Sequence, residues 1–220
     1  EEIEGIPVHR SSIYLPKSKS IIQRLLNYFS FVYSSAKVGK SKIGDVDVIM
    51  CESPPLFLGY SALYLKRKKK AKLIFNVSDL WPESAEKLGV VTNKRMLKLA
   101  YNLEAKLYRK SVLVTGQTQG ICKSINERFP LVKTYWLPNG VDVSYYNPST
   151  VKGNWRKENG FQENDILFLY AGIIGLAQGL EIILSAAEKI KENTSIKFIL
   201  LGSGPEKEKL QAIQREKQLT

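Results

Sequence analysis

Ile166-Leu167-Phe168-Leu169-Tyr170-Ala171 runs directly into Gly172-Ile173-Ile174-Gly175-Leu176-Ala177-Gln178-Gly179-Leu180-Glu181. The first six residues are apolar without alternation, as expected of a strand covered on both faces in a parallel sheet. A glycine-rich turn follows, and beyond it Ile182, Ile183, Ala186, Ala187 and Ile190 recur at helical spacing. Strand, glycine turn and helix make one βα unit, whose exposed backbone N–H groups and positive helix end suit an anion such as a diphosphate. Gly172, Gly175, Gln178 and Gly179 are the candidate residues of that cradle. Close packing of a turn against a sheet also calls for glycine, and this structural reading stands beside the first.

The same grammar extends in both directions. Short β-branched and aromatic runs occur at Ile6–Arg10, Val46–Cys51, Leu73–Val77, Val112–Thr115, Thr134–Leu137 and Lys197–Leu201. Segments such as Leu97, Ala100, Tyr101, Glu104, Leu107 and Tyr108 separate them at helical spacing. Alternating βα units predict an α/β fold with parallel sheets. A stretch rich in Asn, Gly, Pro and charge near Asn147–Asn164 divides five strands from two, so the predicted domains are 1–150 and 151–220.

Length and composition agree with two modules. The chain has 220 residues, 44% hydrophobic and 25% charged, which supports a buried core and excludes wholesale disorder. Nothing resembles a membrane span or an export signal. Two cysteines, Cys51 and Cys122, lack CxxC spacing and suit the cytosol, and a single histidine, His9, leaves no zinc cluster; no metal site is expected. Residues 1–150 hold 23 Lys and Arg against 12 Asp and Glu, whereas residues 151–220 hold 10 against 9. Such asymmetry points the first module toward a polyanion, either nucleic acid or an anionic lipid surface.

Sites in parallel sheets lie past the carboxyl ends of strands. Glu52-Ser53-Pro54-Pro55-Leu56-Phe57 is one such loop, and its two prolines favour an extended, sharply turned backbone. Asn76-Val77-Ser78-Asp79-Leu80-Trp81-Pro82-Glu83-Ser84 is another, delivering Ser78 and Asp79 to a strand end where a carboxylate can act as a base or bind hydroxyls, or merely cap a turn. Leu137-Pro138-Asn139-Gly140-Val141-Asp142 is a strand exit with an Asn-Gly turn and a candidate hinge at Asn139, Gly140 and Asp142. Gly202 and Gly204 form a second glycine turn in the place where a dinucleotide-binding fold would carry its ribose-binding carboxylate. That substitution weakens an NAD-dependent epimerase or dehydrogenase reading. Lys66, Arg67, Lys68, Lys69, Lys70 and Lys72 put six cations in seven positions, either a solvated helix end or a patch for anionic lipid. The segment from Ile21 to Phe29, with Arg24 and Tyr28, fits a core-facing crossover helix or an amphipathic face.

SPPLF, DLWPES, LPNGVD, a glycine turn ending QGL, and LLGSGPEKEKL, in this order, resemble the retaining GT-B glycosyltransferases of family 4. The likeness is greatest to the bacterial branch that adds amino-sugars such as N-acetylfucosamine in capsule or O-antigen assembly. It implies two Rossmann-like domains facing across a cleft, with a lipid-linked saccharide acceptor on the first and UDP- or another nucleotide-sugar on the second. It further implies retention, no metal and no cofactor, no nucleic-acid partner, and a cytoplasmic location at the inner face of the cell membrane. Carried over by motif, Ser53, Ser78, Asp79 and Glu83 would lie on the acceptor side, with Ser78, Asp79 and Glu83 in catalytic roles. Gly172, Gly175 and Gln178 would lie near the donor diphosphate, Gly202 and Gly204 near the nucleoside, and the Asn139–Asp142 loop by the hinge.

The sequence departs from the family pattern in three respects. Many relatives carry His where Ser78 stands, and an Arg/Lys pair where this chain has Ile173 and Gln178. The E-x7-E motif of the donor side and the opening βα unit of the acceptor side are not within residues 1–220. A fragment of a longer enzyme, truncated at both ends and inactive alone, is therefore the expectation.

Overall fold

The computed structural model describes residues 1–17, 20–150 and 153–219, without the side chains of Ile21 and Arg24. The amphipathic reading of 21–29 lies outside the described residues at those two side chains. The chain forms two compact units, Glu1–Gly140 and Val141–Thr220. The composition break placed the boundary after residue 150.

In the first unit, β1 (Glu2–Ile3) and β2 (Ile6–Pro7) pair antiparallel, joined through Glu4 and Gly5 at φ +50° and +80°. Two successive positive φ angles make a tight hairpin turn. The run expected as a sheet strand over Ile6–Arg10 is thus the short second arm of a ribbon. The helix α1 (Ile21–Lys42) follows, capped by the Ser20 side chain, which accepts from the Gln23 N–H. Next come β3 (Val48–Ser53), α2 (Gly59–Lys69), β4 (Lys72–Val77), α3 (Glu83–Lys87) and α4 (Lys94–Lys110). The unit continues with β5 (Leu113–Gly116), α5 (Gln119–Arg128) and β6 (Thr134–Trp136). Asn93 caps α4 and Thr118 caps α5, each side-chain oxygen accepting from backbone N–H groups of the first turn.

The sheet is parallel, in the order β3-β4-β5-β6. Strands laid down consecutively by right-handed crossovers place their helices on a single face. Burial agrees: Cys51, Leu73, Phe75, Val77 and Val114 on that face are buried, whereas Val48 and Met50 on the other are exposed. The covered face packs on Leu103, Leu107 and Tyr108 of α4 and Ile125 of α5. Each such buried side chain contributes about 2 kcal/mol. Within this core Glu104, 1% exposed, accepts from both Arg128 terminal nitrogens at 2.9 and 3.0 Å and from the Tyr108 hydroxyl at 2.9 Å.

In the second unit, β7 (Ile166–Ala171) and β8 (Ile196–Leu201) pair parallel in register from Ile166↔Ile196 to Ala171↔Leu201. The short helix α6 (Trp155–Glu158) precedes them, and α7 (Glu181–Lys189) and α8 (Lys207–Glu216) follow their respective strands. Ile174, Leu180, Leu184 and Leu210 form its core.

Candidate functional site

At the carboxyl edge of the first unit's sheet, the pleat decides which side chain is presented. Ser53 points to the helix-covered side and is 2% exposed, so its backbone carbonyl, not its hydroxyl, is what it offers, accepting from the Ser78 N–H at 2.9 Å. Glu52, one residue earlier, faces the open side. The Ser78 hydroxyl donates to Glu52 Oε1 at 2.5 Å, leaving the second carboxylate oxygen for a ligand hydroxyl. Glu52 was legible through this alternation, because Val48, Met50 and Glu52 share one face.

Asp79 lies beside this pair, just past β4. Its Oδ2 accepts from the Ser84 hydroxyl at 2.7 Å, and its carbonyl accepts from the Trp81 N–H at 2.8 Å. Asp79 therefore closes the turn through Trp81 and Pro82 while keeping Oδ1 unengaged among the described residues. Glu83 opens α3 and pairs with Lys87 at 2.6 Å; that hydrogen bond, with the fields of Lys87 and Arg128, holds its carboxyl below the usual range against partial burial. A carboxylate held ionised in this way suits charge stabilisation better than proton donation. Behind the loop, Trp81 packs edge-on to Phe57 at 5.5 Å between ring centres, and Phe57 meets Phe29 of α1 at 5.3 Å.

The polar row continues across the sheet. Asn76 and Thr115 are buried beside Glu52 in register, with the Thr115 hydroxyl donating to Asn76 Oδ1 at 2.7 Å. Gln117 follows β5 and donates through Nε2 to Asn139 Oδ1 at 3.0 Å, and its carbonyl accepts from Trp136 Nε1 at 3.2 Å. These contacts bring Asn139 to the same strand edge as Ser78. The strand-end rule points to the Thr115–Thr118 loop from sequence, but not to the pairing of Thr115 with Asn76 or of Gln117 with Asn139, since nothing in a strand's pattern shows which neighbour it will pair with. Asp142 belongs to the other unit, the division falling between Gly140 and Val141. Its carboxylate accepts from the Ser144 hydroxyl and from the Ser144 and Tyr145 N–H groups, which lowers its pKa, the Ser144 hydroxyl foremost.

The basic run sits elsewhere. Helices return antiparallel to their strands, so the last turns of α1, α2 and α4 lie at the amino edge of the sheet, opposite Glu52 and Ser78. These turns carry Lys40 and Lys42, Lys66 to Lys69, and Arg109 and Lys110. Lys66 Nζ donates to the Lys110 carbonyl and Lys69 Nζ to the Ile43 carbonyl, each completing a neighbouring helix end. Arg67, Lys68, Lys70 and Lys72 remain exposed.

In the second unit the two glycine turns lie backbone against backbone. The Gly172 N–H donates to the Leu201 carbonyl and the Ile174 N–H to that of Ser203, both at 2.9 Å. A Cβ at Gly202 would meet the Gly172 carbonyl oxygen at 1.8 Å, and one at Gly204 the Ile174 oxygen at 2.3 Å. Glycine at 202 and 204 is thus required by packing, whatever else passes there. The N–H groups of Ile173 and Gly175 have no partner among the described residues and remain available to an anion. Gln178 lies in the short 3-10 turn that closes this loop, and Gly179 takes a left-handed φ of +57° after it. Lys209 of α8 pairs with Glu181 at the start of α7 and with Glu206, so its charge is already engaged by two carboxylates. A partly open cavity of about 270 Å³ between α7, β8 and α8 is lined by Ile183, Leu184, Phe198 and Leu210 and by Ile174 of the first glycine turn.

Residues 151–220 match the family model described as glycosyl transferases group 1. Over 219 aligned residues the chain is 24% identical to WcaI of Escherichia coli K12, a protein assigned to colanic acid biosynthesis as a glycosyl transferase, covering 96% of this chain and 54% of that one. Among solved structures, sucrose-phosphate synthase from Thermosynechococcus elongatus is 16% identical with a TM-score of 0.68, over 94% of this chain and 50% of its own. HepE of Anabaena, solved with UDP and glucose, is 15% identical with a TM-score of 0.63, over 93% and 51%. The chain spans about half the length of the proteins it matches. These structures share its fold, an α/β architecture of the GT-B type with parallel sheets, and the resemblance to family 4 glycosyltransferases is matched by both sequence comparisons.

Proposed function

We propose that the whole protein transfers a sugar, with retention, from UDP- or another nucleotide-sugar to a lipid-linked saccharide acceptor in bacterial surface polysaccharide synthesis. The observation that carries this reading is the paired glycine turn at 172–175 and 202–204, with two free N–H groups, inside the segment that matches glycosyl transferases group 1. Backbone donors aimed at a diphosphate stabilise the charge that develops as the nucleotide leaves, and need neither metal nor cofactor. Glu52, Ser78 and Asp79 form the acceptor edge: Glu52 and Ser78 hold sugar hydroxyls, and the free oxygen of Asp79 supports the attacking one. Arg67, Lys68, Lys70 and Lys72, with Lys66 and Lys69 at the adjoining helix ends, supply the long-range attraction that brings the protein to an anionic membrane from the cytoplasmic side. The 220-residue chain alone binds nucleotide without turning it over, because catalysis depends on a complete set of oriented contacts.

Titration of the chain with UDP, UDP-sugars and NAD tests the donor side, and saturable UDP binding without NAD binding is expected. In the full-length protein Asp79→Asn lowers turnover about 10²-fold while leaving the unfolding midpoint in place. Equal turnover of Asp79→Asn and parent at saturating substrate returns Asp79 to closing its turn with Ser84.

A further inference from the structure

Along α1 one line of side chains faces solvent: Ile22, Leu26, Phe29 and Tyr33, continued by Lys37 and Lys40. The four apolar members are 72%, 52%, 44% and 72% exposed. A surface helix ordinarily puts polar residues on this line and apolar ones inward. Here the other flanks of α1 are already in use. Segment 12–17 is strapped along one side, with the Tyr14 N–H donating to Ser30 Oγ at 2.8 Å, Asn27 Nδ2 to the Tyr14 carbonyl at 2.6 Å, and Ser34 Oγ to the Ser12 carbonyl at 2.5 Å. Helix α2 packs on another, with Ser35 and Ser61 hydroxyls 3.0 Å apart and Gly39 against Leu65. Apart from the Phe29 contact with Phe57, no packing within the described residues accounts for an apolar outer line.

Charge identifies the occupant. From Gly5 to Gly44 the sequence contains no Asp or Glu, while it carries Lys17, Lys19, Arg24, Lys37, Lys40 and Lys42, besides Arg10, which pairs with Glu1. An apolar stripe set in a wholly cationic segment complements an anionic bilayer, whose headgroup boundary accepts apolar side chains and whose phosphates accept lysines. We propose that α1 is an interfacial helix, inserting Ile22, Leu26, Phe29 and Tyr33 at the headgroup boundary with Lys37 and Lys40 on lipid phosphates. Its direction sets the orientation of the molecule. The Phe29–Phe57 contact puts the amino-terminal half of α1 at the edge of Glu52 and Ser78, and the Lys69–Ile43 contact puts its other end at the basic edge. Phe29, Phe57 and Trp81 then lead from the bilayer surface to the Asp79 loop. With α1 lying in the interface, its amino-terminal half carries the acceptor edge to the membrane and its other end carries the Lys66–Lys72 run, whose charge adds to the attraction. This assignment rests on the proposed lipid-linked acceptor for its functional sense.

Sedimentation of the full chain with vesicles of phosphatidylcholine alone, and of phosphatidylcholine with phosphatidylglycerol, tests it. Binding to the anionic vesicles is expected to fall at least about tenfold when Ile22→Gln and Leu26→Gln are combined. Leu99→Gln, at an exposed apolar position on α4, leaves it unchanged. Parent binding is expected to persist in part at high salt, where screening removes the electrostatic contribution, and the double variant is expected to lose that remainder. Unchanged binding of the double variant overturns the assignment, as does a parent dimer that the double variant dissociates, which would make the stripe a subunit interface. Stripe-dependent vesicle binding without any binding of UDP or UDP-sugars removes the transferase reading and leaves the helix assignment. UDP binding without vesicle binding does the reverse.

Discussion

Replacing Gly202 by Ala tests whether the two glycine turns act as one preorganised element. The added methyl would stand 1.8 Å from the Gly172 carbonyl oxygen, a backbone atom that cannot rotate away. Restoring an ordinary separation requires the turns to part by more than about 1 Å. That movement breaks the Gly172–Leu201 and Ile174–Ser203 hydrogen bonds, both 2.9 Å in the parent. Overpacking costs up to about 3 kcal/mol and two backbone hydrogen bonds about 1 kcal/mol each, giving about 3–5 kcal/mol. A unit of this size has a total stability on the order of 4–12 kcal/mol, so the loss is a large part of the whole. Gly179→Ala is the control: its φ is +57° but nothing lies within 4 Å of the new methyl, so only the backbone preference is lost, about 1 kcal/mol. Urea unfolding of the parent and both variants, with hydrogen exchange followed at the Gly172 and Ile174 amides, measures both quantities. Expected are a large drop in midpoint, fast exchange at both amides and loss of UDP binding for Gly202→Ala, and a small drop with parent-like exchange for Gly179→Ala. Parent-like exchange at Gly172 and Ile174 in Gly202→Ala would refute the close-packing argument.

Glu104→Gln leaves Arg128 without its carboxylate in a largely buried setting, and should destabilise the first unit by about 3 kcal/mol, read from the urea midpoint; a loss under about 1 kcal/mol would mean that the pair is solvated in solution. Burial, with Glu52 nearby, pushes the Cys51 thiol up to about 12, so at pH 8 it stays protonated and should resist a thiol reagent until urea unfolds the chain. The Glu83–Lys87 pair lowers the Glu83 pKa, so its contribution to stability is present above the unfolded-state value and is lost as pH falls through the folded one. Glu83→Gln should therefore flatten the acid side of the stability profile slightly and leave the neutral region within about 1 kcal/mol, as fits an ion pair with an exposed lysine.

Local order along the chain was legible in the sequence because it depends on neighbours a few residues apart. Ile166–Ala171 is a strand where its apolar run puts one, although Ile166, Phe168 and Leu169 are exposed and the strand is not covered on both faces, and the strands expected at Leu73–Val77 and Thr134–Leu137 fall where the pattern put them. The run at Ile6–Arg10 failed because its pairing partner is the segment just before it, a choice made by the φ > 0 turn at Glu4 and Gly5 that β propensity does not see. Glu104 falls at helical spacing among apolar residues, but its partner Arg128 is 24 residues away, and only the packing of α4 on α5 brings them together. The loops that carry the candidate site could be located from sequence, since parallel strands place their sites at carboxyl ends. Which side chain each loop presents was decided by the pleat and by strand register, and so Glu52 rather than Ser53 meets Ser78. The glycines at 202 and 204 were visible as a motif. Their necessity lies in a carbonyl oxygen contributed by another turn some thirty residues earlier, a distance that only the folded backbone closes.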